Sequence, residues 1–177
     1  MDPTPRHESL EELRRAAEQG DPQAQGELGR RYHDGDGVQR DLSEALKWLR
    51  AAAKQGVATA QNRLGVCFQK GEGVAKDAEQ AVYWYQQAAS QGDCKAQNNL
   101  GYCYAEDCGV SRDYSEAVRW YRRAAEQGFA NAQCNLGFCY ANGHGVPQDL
   151  AEAVKCFRLS AEQGWDWGQY NLGYCYE

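Results

Sequence analysis

Apolar residues follow a helical spacing along almost the whole chain. Ala24, Leu28 and Tyr32 recur every four residues, which places their side chains on one face of an α-helix. After a glycine-containing loop, Ala45 and Leu49 begin a second stripe of the same kind. The pattern therefore predicts pairs of amphipathic helices joined by short loops.

The helix pair recurs every 36 residues, with no insertion or deletion between copies. A Gln-Gly pair stands at 19–20, 55–56, 91–92, 127–128 and 163–164, and a Leu-Gly pair at 28–29, 64–65, 100–101, 136–137 and 172–173. A period of this length is typical of solenoids, in which each unit buries its apolar face against its neighbours. The sequence therefore predicts an all-α fold, an αα-superhelix of 36-residue helix–loop–helix repeats.

The period also divides the chain into repeats. The predicted segments are a disordered N-terminus at 1–8, a half-repeat capping helix at 9–20, full repeats at 21–56, 57–92, 93–128 and 129–164, and half a repeat at 165–177.

Each second helix is predicted to begin at an aspartate with Glu or Gln three residues later. These pairs are Asp41 with Glu44, Asp77 with Gln80, Asp113 with Glu116, and Asp149 with Glu152. The spacing predicts a capping box, in which the aspartate accepts a bond from a helix amide and the later side chain accepts one from the aspartate amide.

Two features of the loops and first helices stand out. Gly29 and its equivalents lie beside the apolar stripe. Glycine weakens a helix by about 1 kcal/mol, so its presence in this column in all five copies indicates a close backbone approach. In the third loop, Asp107 stands in a column that elsewhere holds glycine. We expect left-handed backbone at Asp107, a mobile loop, and an accessible thiol at Cys108.

Charge and hydropathy exclude several classes of partner. The chain carries 25 acidic and 19 basic residues, a formal charge of −6, which is the wrong sign for binding nucleic acid or anionic lipid. No apolar run approaches the roughly 18 residues needed to span a bilayer. We therefore expect a protein without nucleic-acid binding or membrane insertion. A cytoplasmic location is expected, with a periplasmic or secreted one as the alternative if a signal peptide was removed.

The sequence predicts no catalytic, cofactor or metal site. It lacks Gly-x-Ser-x-Gly, Ser-x-x-Lys, His-Glu-x-x-His and Cys-x-x-Cys, and its three histidines are scattered. Cys67, Cys103, Cys139 and Cys175 share one column, where neighbouring helices should lie about 8–10 Å apart, whereas a disulfide needs Cα atoms within about 7 Å. We expect buried, reduced thiols.

The repeating motif AQxxLGxxYxxGxGVxxDxxEAxxWxxxAAxQG, over residues 9–177, resembles the Sel1-like repeat, a relative of the tetratricopeptide repeat. The resemblance implies a non-catalytic αα-superhelix that serves as an adaptor or scaffold for a protein or peptide partner. One branch, secreted cysteine-rich proteins of gastric bacteria, joins adjacent helices by cysteines eight residues apart and is linked to β-lactam binding or hydrolysis. The equivalent positions here hold alanine and glutamine, as in Ala53 with Gln61, so this alternative function lacks its defining residues.

In repeats of this kind the first helices line the concave side, which implies a partner-binding groove there. The candidate residues are Asn62, Val66, Asn98, Asn99, Tyr102, Asn135, Phe138 and Tyr174. Asparagine amides can bond an extended peptide backbone while the aromatic rings contact its side chains. In the alternative interpretation, the column of Asn99, Asn135 and Asn171 bonds neighbouring helices. The aromatic C-terminal helix is expected to mediate self-association or to require a continuation.

Overall fold

The computed structural model describes residues 9–175, and over this range it contains ten α-helices and no β-strand. The all-α repeat architecture is therefore confirmed, while the expected disorder of residues 1–8 lies outside the described residues. The helices are α1 Leu10–Glu18, α2 Pro22–Asp34, α3 Leu42–Lys54, α4 Ala58–Lys70, α5 Ala78–Ser90, α6 Cys94–Ala105, α7 Tyr114–Glu126, α8 Ala130–Asn142, α9 Leu150–Glu162 and α10 Asp166–Tyr174.

The chain divides into two compact units, one ending at Asp77 and the other beginning at Ala78. The first unit contains α1 to α4 and the second α5 to α10. Within each unit, helices that follow one another in the chain pack together, and first helices of adjacent repeats also touch, as α2 does with α4 and α8 with α10. Each unit thus has the nearest-neighbour packing of a repeat array.

The predicted apolar columns form the core of each unit. Leu28, Leu49 and Leu64 are fully buried in the first unit, and Leu100 and Phe157 are buried in the second. Alanines such as those at 45, 52, 81, 88, 117 and 124 are buried between them. Small side chains on the second helices allow the large ones to interlock at close range.

The close approach expected at the Leu-Gly glycines is present at Gly29, Gly101 and Gly137 but not at Gly173, where a Cβ would meet nothing within 4 Å. A Cβ built on Gly29 would lie 2.9 Å from the Leu49 backbone nitrogen, and one on Gly101 would lie 2.8 Å from the Tyr121 ring. Such distances are too short for real contacts, so glycine is required where the second helix crosses the first.

The capping-box prediction is half right. The Asp113 carboxylate accepts from the amides of Ser115 and Glu116, at 2.9 and 3.0 Å. The prediction of the reciprocal bond is wrong, because the Asp113 amide instead donates to the carbonyl oxygen of Tyr104, at the end of the preceding helix, at 3.0 Å. The Glu116 carboxylate pairs with Arg119 instead. A complete capping box is present at Ser9 and Glu12, at the start of α1.

The irregular third loop has the backbone expected from its sequence. Asp107 has a φ of 58°, in the left-handed region, where the other loops place glycine. Its carboxylate accepts from the Arg112 amide at 3.1 Å, which helps a non-glycine residue to hold this conformation.

Candidate partner-binding site

A cavity of about 490 Å³ opens on the surface formed by the first helices of the second unit, α6, α8 and α10. Its walls combine amide and aromatic side chains. The amides are Asn98, Asn99, Asn131, Asn135 and Asn171, and the aromatic rings are Tyr102, Phe138, Trp165 and Trp167. The volume is within the range of about 300–1,000 Å³ that is usual for ligand pockets. We call this the aromatic–amide groove.

The exposed rings of this groove follow from the helical period. Tyr102 and Phe138 each lie two residues after a buried leucine, Leu100 or Leu136, and two residues correspond to about 200° around a helix. A side chain at that position must face away from the core. Tyr102 is 46% exposed and Phe138 is 51% exposed, so both present apolar surface to solvent.

The asparagines in the groove are bonded to one another. Asn135 Nδ2 donates to Asn98 Oδ1 at 2.9 Å and to Asn131 Oδ1 at 3.2 Å. The first of these bonds joins α8 to α6, as the alternative interpretation of the second asparagine column expected. Asn98 is only 5% exposed, so it holds neighbouring repeats together and presents little of its amide to a partner.

A second internal amide bond lies further along the groove. Asn171 Nδ2 donates to the carbonyl oxygen of Trp167 at 2.7 Å and lies 3.8 Å from Cys134 Sγ. The donors of Asn135 and Asn171 are therefore used internally. Their side-chain carbonyl oxygens are the groups that could accept a bond from a partner's backbone N–H.

Tyr174 lines a second cavity and not the groove itself. It lines a smaller cavity of about 400 Å³ between α8, α9 and α10, to which Phe138 and Asn171 also contribute. Its ring is 73% exposed. Phe138 thus lies between the two cavities, and Tyr174 extends the aromatic surface towards the end of α10.

Asn62 and Val66 belong to the first unit, whereas every residue lining the groove belongs to the second. Asn62 is 8% exposed, like its equivalent Asn98, and Val66 is half-buried. The burial of Asn62 disagrees with a direct role in partner binding, because a buried amide has little surface for a ligand to contact.

Trp165 and Trp167 were not among the predicted groove residues. They are 37% and 63% exposed, and Trp165 occupies the position just before α10 that Phe129 occupies before α8. The 36-residue alignment contained a signal for Trp167, which stands in the column of Asn131, another residue of the groove wall.

The groove contains no activated nucleophile among its described residues. Its one thiol is that of Cys134, where burial raises the pKa against a smaller opposing effect of the Asn171 hydrogen bond. The thiol is therefore protonated at neutral pH, and thiolate is the reactive form.

Paired helices, a 36-residue period and an exposed groove on the first helices define an α-helical repeat protein. The Sel1 repeat model matches residues 13–21, 22–57, 58–93, 94–129, 130–165 and 168–177. The chain belongs to the Sel1 repeat family. Proteins of this family generally mediate protein–protein interaction. None of the helices in the described chain has the length and apolar character needed to cross a bilayer.

Solved structures of other family members are closely similar. A protective antigen present in uropathogenic Escherichia coli strains, with an SLR fold, shares 45% identity over 95% of this chain, with a TM-score of 0.89. A Sel1 repeat protein from Oxalobacter formigenes shares 37% identity over 96% of this chain, with a TM-score of 0.84. This chain spans 36% and 65% of those two proteins. No curated protein matches it.

Cysteine-rich protein B of Helicobacter pylori is similar in fold alone, with 20% identity and a TM-score of 0.59 over 78% of this chain and 99% of that one. At the positions where the cysteine-rich branch is expected to carry a disulfide, Gln61 Nε2 donates to the carbonyl oxygen of Ala53 at 3.0 Å. All eight cysteines are free thiols. The β-lactam alternative is not supported.

Proposed function

We propose that this chain is a non-catalytic binding scaffold whose aromatic–amide groove holds an extended segment of a partner protein. The observation that carries the proposal is the pair of half-exposed rings, Tyr102 and Phe138, one repeat apart on the groove wall. Rigid aromatic side chains bury a large area with little loss of conformational entropy, and they are enriched among residues that dominate binding energy.

The polar groups of the groove suit a peptide backbone. The carbonyl oxygens of Asn135 and Asn171 lie in one column, 36 residues apart, and can accept bonds from backbone N–H groups without reading a side chain. The rings would then contact apolar side chains of the segment. An uncharged, partly apolar, extended segment fits this combination.

The test begins with peptides selected on the immobilised protein from a random display library. The affinity of the selected peptides is then measured by fluorescence anisotropy. We expect Tyr102→Ala with Phe138→Ala to weaken binding at least tenfold, because removal of one central ring at an interface commonly costs about 2 kcal/mol. Both side chains are about half exposed, so the helical content should not change.

The matched control is Tyr83→Ala, which removes a ring of similar exposure, 48%, from the second helix α5. Its affinity should equal that of the wild type. If the peptides bind the groove variant as tightly as the wild type, the site lies on another surface and the proposal fails.

A further inference from the structure

Three side chains of metal-ligand type meet in the first unit. His33 lies near the end of α2, Cys67 lies in α4, and Glu72 lies in the loop that follows α4. The ligand atoms of the three residues all lie within 4.8 Å of one another. Cys67 and Glu72 follow His33 by 34 and 39 positions, so no local sequence motif indicates the cluster.

The histidine ring is held with one nitrogen towards the cluster. His33 Nδ1 lies 2.8 Å from Asp34 Oδ1, and Nε2 lies 2.8 Å from Glu72 Oε2. Asp34 in turn accepts from Arg63 Nη1 at 3.2 Å. A carboxylate that fixes the second nitrogen of a histidine is the usual outer partner of a metal-bound imidazole.

The contacts of the ring also fit a metal ligand. Asp34 Oδ1 faces Nδ1 and can hold a proton there, while Nε2 faces Glu72 within the cluster. A cation bound between Nε2 and Glu72 would take the place of the hydrogen bond that these two groups now share.

The thiol of Cys67 is the buried member of the cluster. Cys67 is 1% exposed, while the side chains of His33 and Glu72 are 18% and 26% exposed, so the thiol is the most deeply buried of the three. Burial, together with the nearby charge of Glu72, raises the pKa of this thiol to about 11. Binding of a cation would release the thiol proton to solvent.

We propose that His33, Cys67 and Glu72 bind a zinc ion that joins the end of α2 to the end of α4, with water in the fourth position. Nitrogen, sulfur and carboxylate oxygen are the donors that zinc takes in proteins. In a tetrahedral site, bonds of about 2.0–2.3 Å place the donors roughly 3.3–3.7 Å apart. The observed spacing requires side-chain adjustments of about 1 Å, available to Glu72 because it lies in a half-exposed loop.

The same cysteine column in another repeat lacks the other two ligands. Cys139 occupies the same column as Cys67, but Ala105 stands in the column of His33 and His144 in the column of Glu72. The His144 ring is stacked on Tyr114, with centroids 4.5 Å apart. Cys139 is therefore a matched control, a buried thiol in the same repeat position without the histidine and carboxylate.

The test uses Co²⁺ as a spectroscopic probe on the reduced full chain. We expect a near-ultraviolet thiolate-to-cobalt band that saturates at one equivalent and disappears when Zn²⁺ is added. Cys67→Ser should abolish the band, and His33→Gln, which introduces the residue found at 69 in the next repeat, should weaken Co²⁺ affinity at least tenfold. Cys139→Ser should leave the titration unchanged.

A second readout is thermal unfolding followed by circular dichroism. Zn²⁺ should raise the Tm of the wild type and of Cys139→Ser but not that of His33→Gln, because a ligand stabilises only a protein that binds it. If Cys67→Ser fails to fold, His33→Gln decides the matter. The absence of an equimolar band, or a band that persists in His33→Gln with unchanged affinity, would overturn the proposal in favour of a histidine that only bridges two carboxylates.

Discussion

Gln97 Nε2 donates a hydrogen bond to the carbonyl oxygen of Ala89, 3.2 Å away on the preceding helix. The same bond joins Gln25 to Ala17 at 3.0 Å and Gln133 to Ala125 at 3.4 Å. These are the positions at which the resemblance to the cysteine-rich branch would place disulfides. Each of these carbonyls also accepts from the amide of the glycine that follows its helix, so the neutral glutamine side chain adds a second bond and joins the helix pair without oxidation.

The first prediction concerns this interhelical bond. Gln97→Leu should destabilise the protein by about 1–3 kcal/mol, because the side chain is 5% exposed and its loss removes two hydrogen bonds, each worth about 0.5–1.5 kcal/mol. One is the bond to the Ala89 carbonyl oxygen, which keeps its bond from the Gly92 amide, and the other is the bond that Gln97 Oε1 accepts from Gln127 Nε2 at 2.8 Å. Urea unfolding measures the change.

The control for this substitution is Gln86→Leu, at an exposed position in α5. Its effect should stay within about 0.5 kcal/mol. Equal stability of Gln97→Leu and Gln86→Leu would show that the interhelical bond adds nothing to the fold.

The second prediction separates two glycines that lie in first helices. Gly101→Ala should lower stability by about 1–3 kcal/mol, because the new methyl group would lie 2.8 Å from the Tyr121 ring and 3.1 Å from the Ala117 carbonyl oxygen. Gly26→Ala should instead raise stability by up to about 1 kcal/mol. A Cβ at Gly26 has neighbours no nearer than 3.5 Å. Thermal unfolding should give shifts of opposite sign, and a shift of the same sign for both would contradict the close-approach argument.

The third prediction concerns the order in which thiols react. Burial raises the pKa of Cys103 to about 12 and those of Cys67 and Cys139 to about 11. The thiolate is the nucleophile. At a pH below the pKa of a thiol, raising that pKa by one unit therefore lowers the thiolate fraction about tenfold. These three thiols should therefore alkylate slowly at pH 8, and more rapidly as the pH rises towards their pKa values.

Cys108 should alkylate first, because it lies in the loop where Asp107 adopts left-handed backbone and is less buried than those three thiols. Brief treatment with iodoacetamide in the presence of EDTA, followed by mass mapping, gives the order. Earlier labelling of Cys67 or Cys139 would show that burial of their column does not control reactivity.

The fourth prediction concerns the exposed aromatic face of α10. Trp167, Tyr170 and Tyr174 are 63%, 66% and 73% exposed, and such a patch is unusual on a monomeric protein. We expect the chain to self-associate through these rings. Sedimentation velocity should show dimers that increase with concentration, and Tyr170→Glu with Tyr174→Glu should restore a monomer. A wild type that stays monomeric at high concentration would contradict this prediction.

The sequence by itself determined the features that depend on local spacing. The 36-residue period predicted the helices, the buried columns of leucine and alanine, and the close approach at Gly29 and Gly101. The same alignment showed that Asp107 replaces a glycine, and its left-handed backbone follows. These features can be predicted from the sequence because helical periodicity and positive φ are set by residues a few positions apart.

Only the tertiary structure decided which polar groups meet. Asn135 bonds Asn98, 37 residues away, and the Asp113 amide bonds the Tyr104 carbonyl instead of completing a capping box. His33 lies beside Glu72 although 39 residues separate them. Each of these contacts depends on how one helix is rotated and shifted against the next by the packing of its side chains. A repeat pattern fixes which residues are equivalent, but the angle and offset between packed helices decide which atoms come within bonding distance.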